Sequence, residues 1–327
     1  MTAPEYSFVI PVHNEAESLP ELARQLTDVM AQLDGSAEVV LVDDGSTDGS
    51  FEIMRELHEH DARFRVLRLS RNFGHQIAIT AGLDHADGYA IVIMDADLQD
   101  PPEVVLEMAQ RWRDGYSVVY AVRDRRSGEG LVKRVTAKWF YRLLDRFTDT
   151  PIPLDAGDFR LVDRQALTAI RSMREHNRYL RGMFAWVGFD QTGVRYVRPA
   201  RYAGTTKFSM RKMASFATDG ILSFSAAPLR LALNLGFVIS TLAFLAGFAA
   251  IACKVAGVYT VPGWASLSVA VALLGGMQLI ILGVIGEYIA RIYEEVRRRP
   301  LYLVRDTLGL DADGPWRAPD GPRGSRP

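Results

Sequence analysis

Apolar, β-rich runs recur along the first part of the chain: Tyr6–Pro11, Glu38–Asp43, Arg65–Leu69, Tyr89–Asp95 and Ser117–Val122. Between them the spacing changes to a helical period. Leu19, Leu22, Leu26, Val29, Met30 and Leu33 share one helical face, and Val105, Met108, Ala109 and Trp112 share another. Strands alternating with helices predict an α/β domain with a doubly wound, mainly parallel sheet. In such sheets ligands bind beyond the carboxyl ends of the strands. No repeat of solenoid period is present.

The pattern changes abruptly after residue 230. Leu231–Cys253 is 23 residues with no ionisable side chain except the cysteine, and Trp264–Gly286 is another 23 with no charge. About 20 apolar residues span the hydrocarbon layer of a bilayer, so each run is long enough. The short linker between them, Lys254–Gly263, carries Pro262 and Gly263. This predicts a two-helix transmembrane hairpin with both ends on one side. Arg211, Lys212 and Arg230 precede it and Arg291, Arg297, Arg298 and Arg299 follow it, against Lys254 alone in the linker. The positive-inside bias therefore places both ends, and the N-terminal domain, in the cytoplasm at the inner membrane. The competing interpretation is a pair of buried core helices. Asn234 is the strongly polar residue of the first run, and Gly275, Gly276, Gly283 and Gly286 are small positions suited to close helix packing.

Basic and aromatic residues mix in two further segments, 133–147 and 207–227. Such helices suit the headgroup layer. For 133–147 an amphipathic helix packed on a soluble core is an equal alternative. The expected organisation is a catalytic-type domain over 1–206, interface helices over 207–228 and the spans within 229–286. A charged helix ending at Pro300 and a strand-like segment, Leu301–Val304, would fill 287–310, followed by a disordered Pro/Gly-rich tail over 311–327. The strand-like segment is expected to pair with another protomer.

Composition narrows the function. A length of 327 residues supports a large core without disulfide or metal staples, and the single cysteine, Cys253, forms no intrachain disulfide. A net charge of −1 disfavours nucleic acid as a partner. A P-loop, a nucleophile elbow, a dinucleotide fingerprint and zinc-type His/Cys clusters are all missing from the sequence.

The candidate chemistry lies at the strand ends, which are acidic. The first runs into Pro11-Val-His-Asn14-Glu15, the second into Asp43-Asp44-Gly-Ser-Thr-Asp48, and the fourth into Asp95-Ala-Asp97-Leu-Gln99-Asp100-Pro-Pro-Glu103. Three acidic clusters at one sheet edge would repel one another unless a cation sits among them. In an extended segment Asp95 and Asp97 point the same way, so the pair could hold one hard divalent ion with open positions for water and phosphate oxygens. Asp100 and Glu103 also read as a helix start, with Asp as N-cap and Pro at N1. Asn14 or Ser18 could cap the first helix, and Asp43–Asp48 could be only a turn.

The ordered series V-I-P-V-H-N-E, V-D-D-G-S-T-D, R-N-F-G-H and D-A-D-L-Q-D-P-P-E resembles the family 2 glycosyltransferases of the GT-A fold. The segment G-D-F-R-L (Gly157–Leu161) and the two-span C-terminus resemble its polyisoprenyl-phosphate glycosyltransferase branch, over residues 6 to 310. The resemblance implies a metal-dependent, inverting transfer from a nucleotide sugar to a polyprenyl phosphate. It implies that Pro11, Asn14 and Glu15 line the nucleotide pocket, that Asp43 and Asp44 contact base and ribose, and that Asp95 and Asp97 hold Mg²⁺ or Mn²⁺ with Gln99 beside them. Asp158 matches the position of a base or acceptor-orienting carboxylate, with Asp155 a second candidate. Arg123, Arg201 and Lys207 match basic residues facing phosphates. Because a phosphate monoester is already largely anionic near neutral pH, Asp158 is expected to orient the acceptor rather than serve as an obligate base. The segment 124–131 is either an acceptor loop or a plain surface loop. The branch implies a UDP-hexose, glucose or a relative, as donor, with a GDP-mannose-dependent enzyme as the alternative, and it leans towards a homo-oligomer. A processive polysaccharide synthase is disfavoured, because Gln110-Arg-Trp112 has the wrong spacing for its Q-x-x-R-W element. An inactive membrane scaffold or sugar sensor, or a flippase subunit, is opposed by the intact acidic pair.

Overall fold

The computed structural model describes residues 3–123, 156–197, 227–256 and 263–310. The described residues up to 197 and those after 298 form one compact unit, and two long helices form a second.

The first unit begins with the expected alternation: β1 (Tyr6–Val12), α1 (Leu19–Met30), β2 (Ala37–Asp43), α2 (Ser50–His60), β3 (Phe64–Leu69), α3 (His75–His85), β4 (Ala90–Ile93), α4 (Val104–Arg113) and β5 (Val118–Arg123). After residue 155 follow β6 (Ala156–Asp163), α5 (Arg164–Ser172), α6 (Leu180–Trp186), β7 (Gln191–Tyr196) and, far along the chain, β8 (Val304–Leu308). The eight strands form one sheet in the order β7-β5-β6-β4-β1-β2-β3-β8. Its core, β4-β1-β2-β3, is parallel as predicted. The outer parts depart from that pattern, since β6 runs antiparallel to both β4 and β5, and β8 runs antiparallel to β3.

Alternate residues of the central strands feed two cores on opposite faces. On one face Val39 and Leu41 pack with Leu22, Leu26 and Val29 of α1, Met54 of α2 and Met108 of α4. On the other, Val40, Val42, Leu67 and Leu69 pack with Ala78 and Ala81 of α3. α3 is buried all the way from Ala78 to Asp84, so it lacks a polar stripe. It lies so close to the sheet that a Cβ at Gly82 would collide with the Val9 side chain and stand 3.0 Å from Val42 Cγ2.

The cover of this second face is completed from the far end of the chain. Leu301 and Tyr302 are buried against it, and β8 extends the sheet edge beyond β3. The Tyr302 hydroxyl donates to Asp84 Oδ2 at 3.0 Å, and Arg174 Nη1 lies 2.9 and 3.0 Å from the two Asp84 oxygens. The predicted strand therefore lies a few residues later than expected and pairs within its own chain. The free edge of β3 offered main-chain partners at no cost in association entropy.

The second unit consists of α7 (Ala227–Val255) and α8 (Trp264–Arg297). Windows Ala232–Ala249 and Leu273–Arg297 are long and apolar enough to cross a membrane. No part of either window is buried, and Phe237, Phe244, Phe248 and Leu279 stand exposed, which is unlike core helices of a soluble protein. α8 continues through the charged stretch after Gly286 and stops at Arg298, whose backbone is left-handed with φ 48°. The segments 133–147 and 207–226, the tail 311–327, Asp155, Arg201 and Lys207 lie outside the described residues.

Candidate active site

The site forms where the sheet direction puts it, at the carboxyl ends of β1, β2 and β4. One contribution comes from a strand running the other way. In the β4–β6 ladder Ile93 pairs with Arg160. Asp95 follows Ile93 by two residues and Asp158 precedes Arg160 by two, so the two carboxylates come to the same end of the ladder, where both lie within 3.5 Å of His75 Nε2. A carboxylate distant in sequence thus arrives beside the Asp95–Asp97 segment because β6 is antiparallel.

Asp158 is nearly buried and heavily bonded. Arg181 of α6 grips it in two-pronged fashion, Nε to Oδ1 at 2.8 Å and Nη2 to Oδ2 at 3.2 Å. Gln76 Nε2 donates to Oδ2 at 3.3 Å, and His75 Nε2 lies 3.5 Å from the same oxygen. Burial alone would raise the proton affinity of Asp158, but the Arg181 charge and the His75 and Arg181 hydrogen bonds outweigh it and hold the carboxyl well below its usual range. Asp158 is therefore a fixed anion and a poor proton acceptor near neutral pH. Beneath it the buried Arg160 donates to the carbonyls of Gly157 and Asp158 at 2.8 and 3.3 Å and lies over the Phe184 ring.

His75 is also 3.4 Å from Asp95 Oδ1, so one ring nitrogen faces two carboxylates. The ring is about half exposed, and the desolvation it does have disfavours its charged form. The Asp158 hydrogen bond and the charges of Asp95 and Asp158 overcome that and raise it to about 9. The ring sits at the first turn of α3, whose start is held by Asp44: its two oxygens accept from the backbone N–H of Phe73 and Gly74 at 2.7 and 3.0 Å.

The chain around Asp95 is a turn, not an extended strand. β4 ends at Ile93, and Leu98 is left-handed with φ 59°. The argument from strand alternation thus does not apply to Asp95 and Asp97; the turn brings the pair to the strand end. The Gln99 N–H donates to Asp97 Oδ1 at 3.1 Å. Asp100 does not cap α4, which begins later, at Val104. Instead it is buried, accepting from the Tyr196 hydroxyl at 2.9 Å and from the Asp95 N–H at 3.4 Å. Burial and the neighbouring Asp95 charge push Asp100 up to about 7. Arg123 Nε donates to the Tyr196 hydroxyl at 3.2 Å, so this predicted phosphate ligand is tied to the same chain.

The acidic pair at the end of β2 is held by partners within the protein. Asp43 is fully buried, accepting from the Ser46 N–H at 2.8 Å and facing Arg68 Nε at 3.2 Å. With no exposed surface, Asp43 shapes the turn at the end of β2. Asp44 is 3% exposed with both oxygens bonded, so its role is likewise to hold the start of α3. The repulsion that seemed to require a cation at three strand ends is thus neutralised internally at the second one.

The β1 and β2 ends interlock into one rim. Asn14, left-handed at φ 57°, accepts the Thr47 N–H on Oδ1 at 2.8 Å and donates its own N–H to Ser46 Oγ at 3.1 Å. Asn14 therefore braces the β2 turn and does not cap α1. The Glu15 N–H donates to Ser50 Oγ at 3.0 Å. Pro11 lies buried inside β1. Gly45, with φ +67°, packs against the chain at Asn72, where a Cβ would come within 2.6 Å of the backbone nitrogen. His13 Nδ1 donates to the Asp44 carbonyl at 3.0 Å while Asn72 Nδ2 donates to its Nε2 at 3.1 Å.

Among the described residues no group of three or more His, Cys, Asp or Glu side chains is arranged to hold a metal. Two carboxylates at one strand end nevertheless suit a hard divalent ion that takes its other oxygens from phosphate and water. The donor set of Asp95 and Asp97 therefore fits Mg²⁺ or Mn²⁺.

The model of the family described as "Glycosyl transferase family 2" matches residues 7–171, half of the chain and every acidic motif above. The chain belongs to that family. The glycosyltransferase is also similar along most of its length to curated relatives. It is 50% identical to the uncharacterized glycosyltransferase YkcC of Bacillus subtilis, covering 94% of this chain and 95% of the relative. Its identity to the uncharacterized glycosyltransferase sll0501 of Synechocystis is 47%, covering 94% and 96%. It is 40% identical to the prophage bactoprenol glucosyl transferase homolog of Escherichia coli K12, covering 91% and 98%. Sequence reasoning had found Asp95, Asp97 and Asp158 but not Gln76, Arg181 or Tyr196. His75 stood inside the R-N-F-G-H motif without a role.

Proposed function

We propose that this glycosyltransferase moves a hexose, glucose in the first instance, from a UDP-sugar to a polyprenyl phosphate at the cytoplasmic face of the inner membrane. The observation that carries the proposal is the bridging of Asp95 to an anionic Asp158 by one His75 nitrogen at one sheet edge, in a chain whose second unit has two bilayer-length apolar helices. The 40% identity to a protein named as a bactoprenol glucosyl transferase homolog supports the acceptor and the sugar.

In this proposal an oxygen of the acceptor phosphate attacks the anomeric carbon from the face opposite the leaving group. The bond from that carbon to the diphosphate oxygen breaks, and the centre inverts. A divalent metal held by Asp95 and Asp97 would supply charge stabilisation to the departing diphosphate. The acceptor brings its own negative charge, with a second pKa of about 6 for related esters, so no strong base is needed. Asp158 is suited to that task, being held as an anion by Arg181. It orients the acceptor and the sugar, and takes up no proton. The rim from Asn14 to Asp48 shapes the nucleotide pocket, with Glu15 and Gln99 at its border. Arg123, Arg201 and Lys207 face the phosphates. Confinement to the bilayer surface by the apolar helices concentrates a lipid acceptor at the site. The homo-oligomer is part of the proposal on the strength of the family resemblance.

The test is a transfer assay in detergent with undecaprenyl phosphate, a divalent metal and a panel of UDP- and GDP-sugars, read as lipid-extractable sugar. UDP-glucose should give product that disappears with EDTA and in Asp97→Ala. Product from GDP-mannose alone would overturn the donor assignment, and a folded, nucleotide-binding protein inactive with every donor would overturn the reaction.

A further inference from the structure

We infer that Arg181 is a positioning residue of this transferase that works wholly through Asp158. The inference rests on the proposed reaction and goes beyond it, because Arg181 lies in a helix, α6, past the motifs that identify the family. The geometry is that of a planar fork meeting a carboxylate, 2.8 and 3.2 Å on the two oxygens, which Lys could not reproduce. α6 is in turn pinned to the site. The Leu180 N–H, one residue before Arg181, donates to Gln76 Oε1 at 3.1 Å, while Gln76 Nε2 reaches Asp158 at 3.3 Å. One residue of α3 thus holds both ends of the Arg181–Asp158 pair. Three residues after Arg181, Phe184 lies against Arg160, which holds the Asp158 carbonyl.

At this edge α6 sets the orientation and charge of the Asp158 carboxylate. Its attraction for Asp158 raises the proton affinity of the guanidinium against the opposing effect of burial, so the cation persists. Removing it would leave Asp158 the longer contacts to Gln76 and His75, at 3.3 and 3.5 Å, and no fork to fix the plane of its carboxylate. Arg181 acts on acceptor orientation and not on the nucleotide, whose rim is built from the β1 and β2 ends.

A double-mutant cycle reads this directly. Wild type, Arg181→Gln, Asp158→Asn and the double variant are assayed for kcat and acceptor KM in the undecaprenyl-phosphate transfer assay, with UDP-sugar affinity measured separately. Loss of a preorganised charge at such a site costs about 10²-fold in rate. Each single variant should fall by about that factor, and the double variant should fall no more than about threefold below the worse single one. Arg181→Lys should recover about tenfold over Arg181→Gln, because it restores the charge without the fork. UDP-sugar affinity should change less than about twofold in Arg181→Gln, which also shows that the variant is folded. A double variant near the product of the two losses, about 10⁴-fold, would mean that Arg181 touches substrate independently and would overturn the inference. A parallel loss of UDP-sugar affinity, or a fully active Arg181→Gln, would overturn it as well. Absence of transfer by the wild-type protein would instead bring down the proposed reaction, and this inference with it.

Discussion

Tyr302→Phe isolates one oxygen atom in the contact that joins the end of the described chain to α3. The ring is 4% exposed and stays packed against Val40, Val42 and Leu67 in the variant. What disappears is the hydroxyl 3.0 Å from Asp84 Oδ2. Asp84 is itself buried and keeps the Arg174 pair at 2.9 and 3.0 Å. A buried hydrogen bond to a charged group is worth about 1.5–3 kcal/mol. For a domain of this size each kcal/mol moves the melting midpoint by roughly 2–4 °C, so a fall of roughly 3–12 °C is expected. The effect should be equal at pH 6 and pH 9. Burial and the Asp84 charge raise the phenol pKa of Tyr302 above its ordinary value. Its stabilising contribution is therefore complete below the unfolded value, about 10, and is lost only as pH climbs through the still higher folded value. The assay is a tryptophan-fluorescence melt of the detergent-solubilised protein. A midpoint within about 1 °C of wild type, or a loss already pH-dependent below 9, would refute the reasoning.

Three further outcomes follow from the same structure. In EDTA, Asp100→Asn should flatten the dependence of melting midpoint on pH: a carboxyl raised to about 7 stabilises the fold fully below its unfolded value and loses that contribution as pH rises through about 7, and parallel curves for the two proteins would contradict this. Gly82→Ala should destabilise by about 1–3 kcal/mol through overpacking against Val9 and Val42, with Val9→Ala recovering part of the loss in the double variant, as read by the same melts. Arg68→Met leaves the buried Asp43 without its cation and should cost about 3–5 kcal/mol, which urea titration followed by fluorescence would detect.

The strands β1 to β5 were legible to within two residues because each is a compact apolar run bounded by polar turns. β6 escaped notice for the reason that makes it important. Its buried Asp158 and Arg160 interrupt the apolar pattern, since a strand serving a catalytic edge carries charge where a plain core strand would carry Val or Leu. β7 alternates poorly because, as an edge strand, it leaves Gly193 and Arg195 exposed. α3 has no amphipathic period, being covered on all sides. At the site, the acidic motifs identified the strand ends but not the division of labour among them. Asp43, Asp44 and Asp100 look equivalent to Asp95 and Asp97 in sequence, and their partners, Arg68, the α3 N–H groups and Tyr196, are what show that these three serve the local structure. Arg181 gave no signal, because its partner is 23 positions away.

β8 changes what the two apolar helices are. They are not an appendage fixed to the end of a finished domain; they interrupt one, with seven strands of the described residues before them and the eighth after. During synthesis the β3 edge stays unpaired, and the face of Val40, Val42, Leu67 and Leu69 lacks the part of its cover that Leu301 and Tyr302 add to α3, until both helices have left the ribosome. Completion of the sheet thus reports that the helices have been made, and a chain stalled between them displays an open edge to quality control. The same closure sets a parity rule that owes nothing to charge. Because residues on either side of the helices must meet in one sheet, the intervening chain can cross a bilayer only an even number of times.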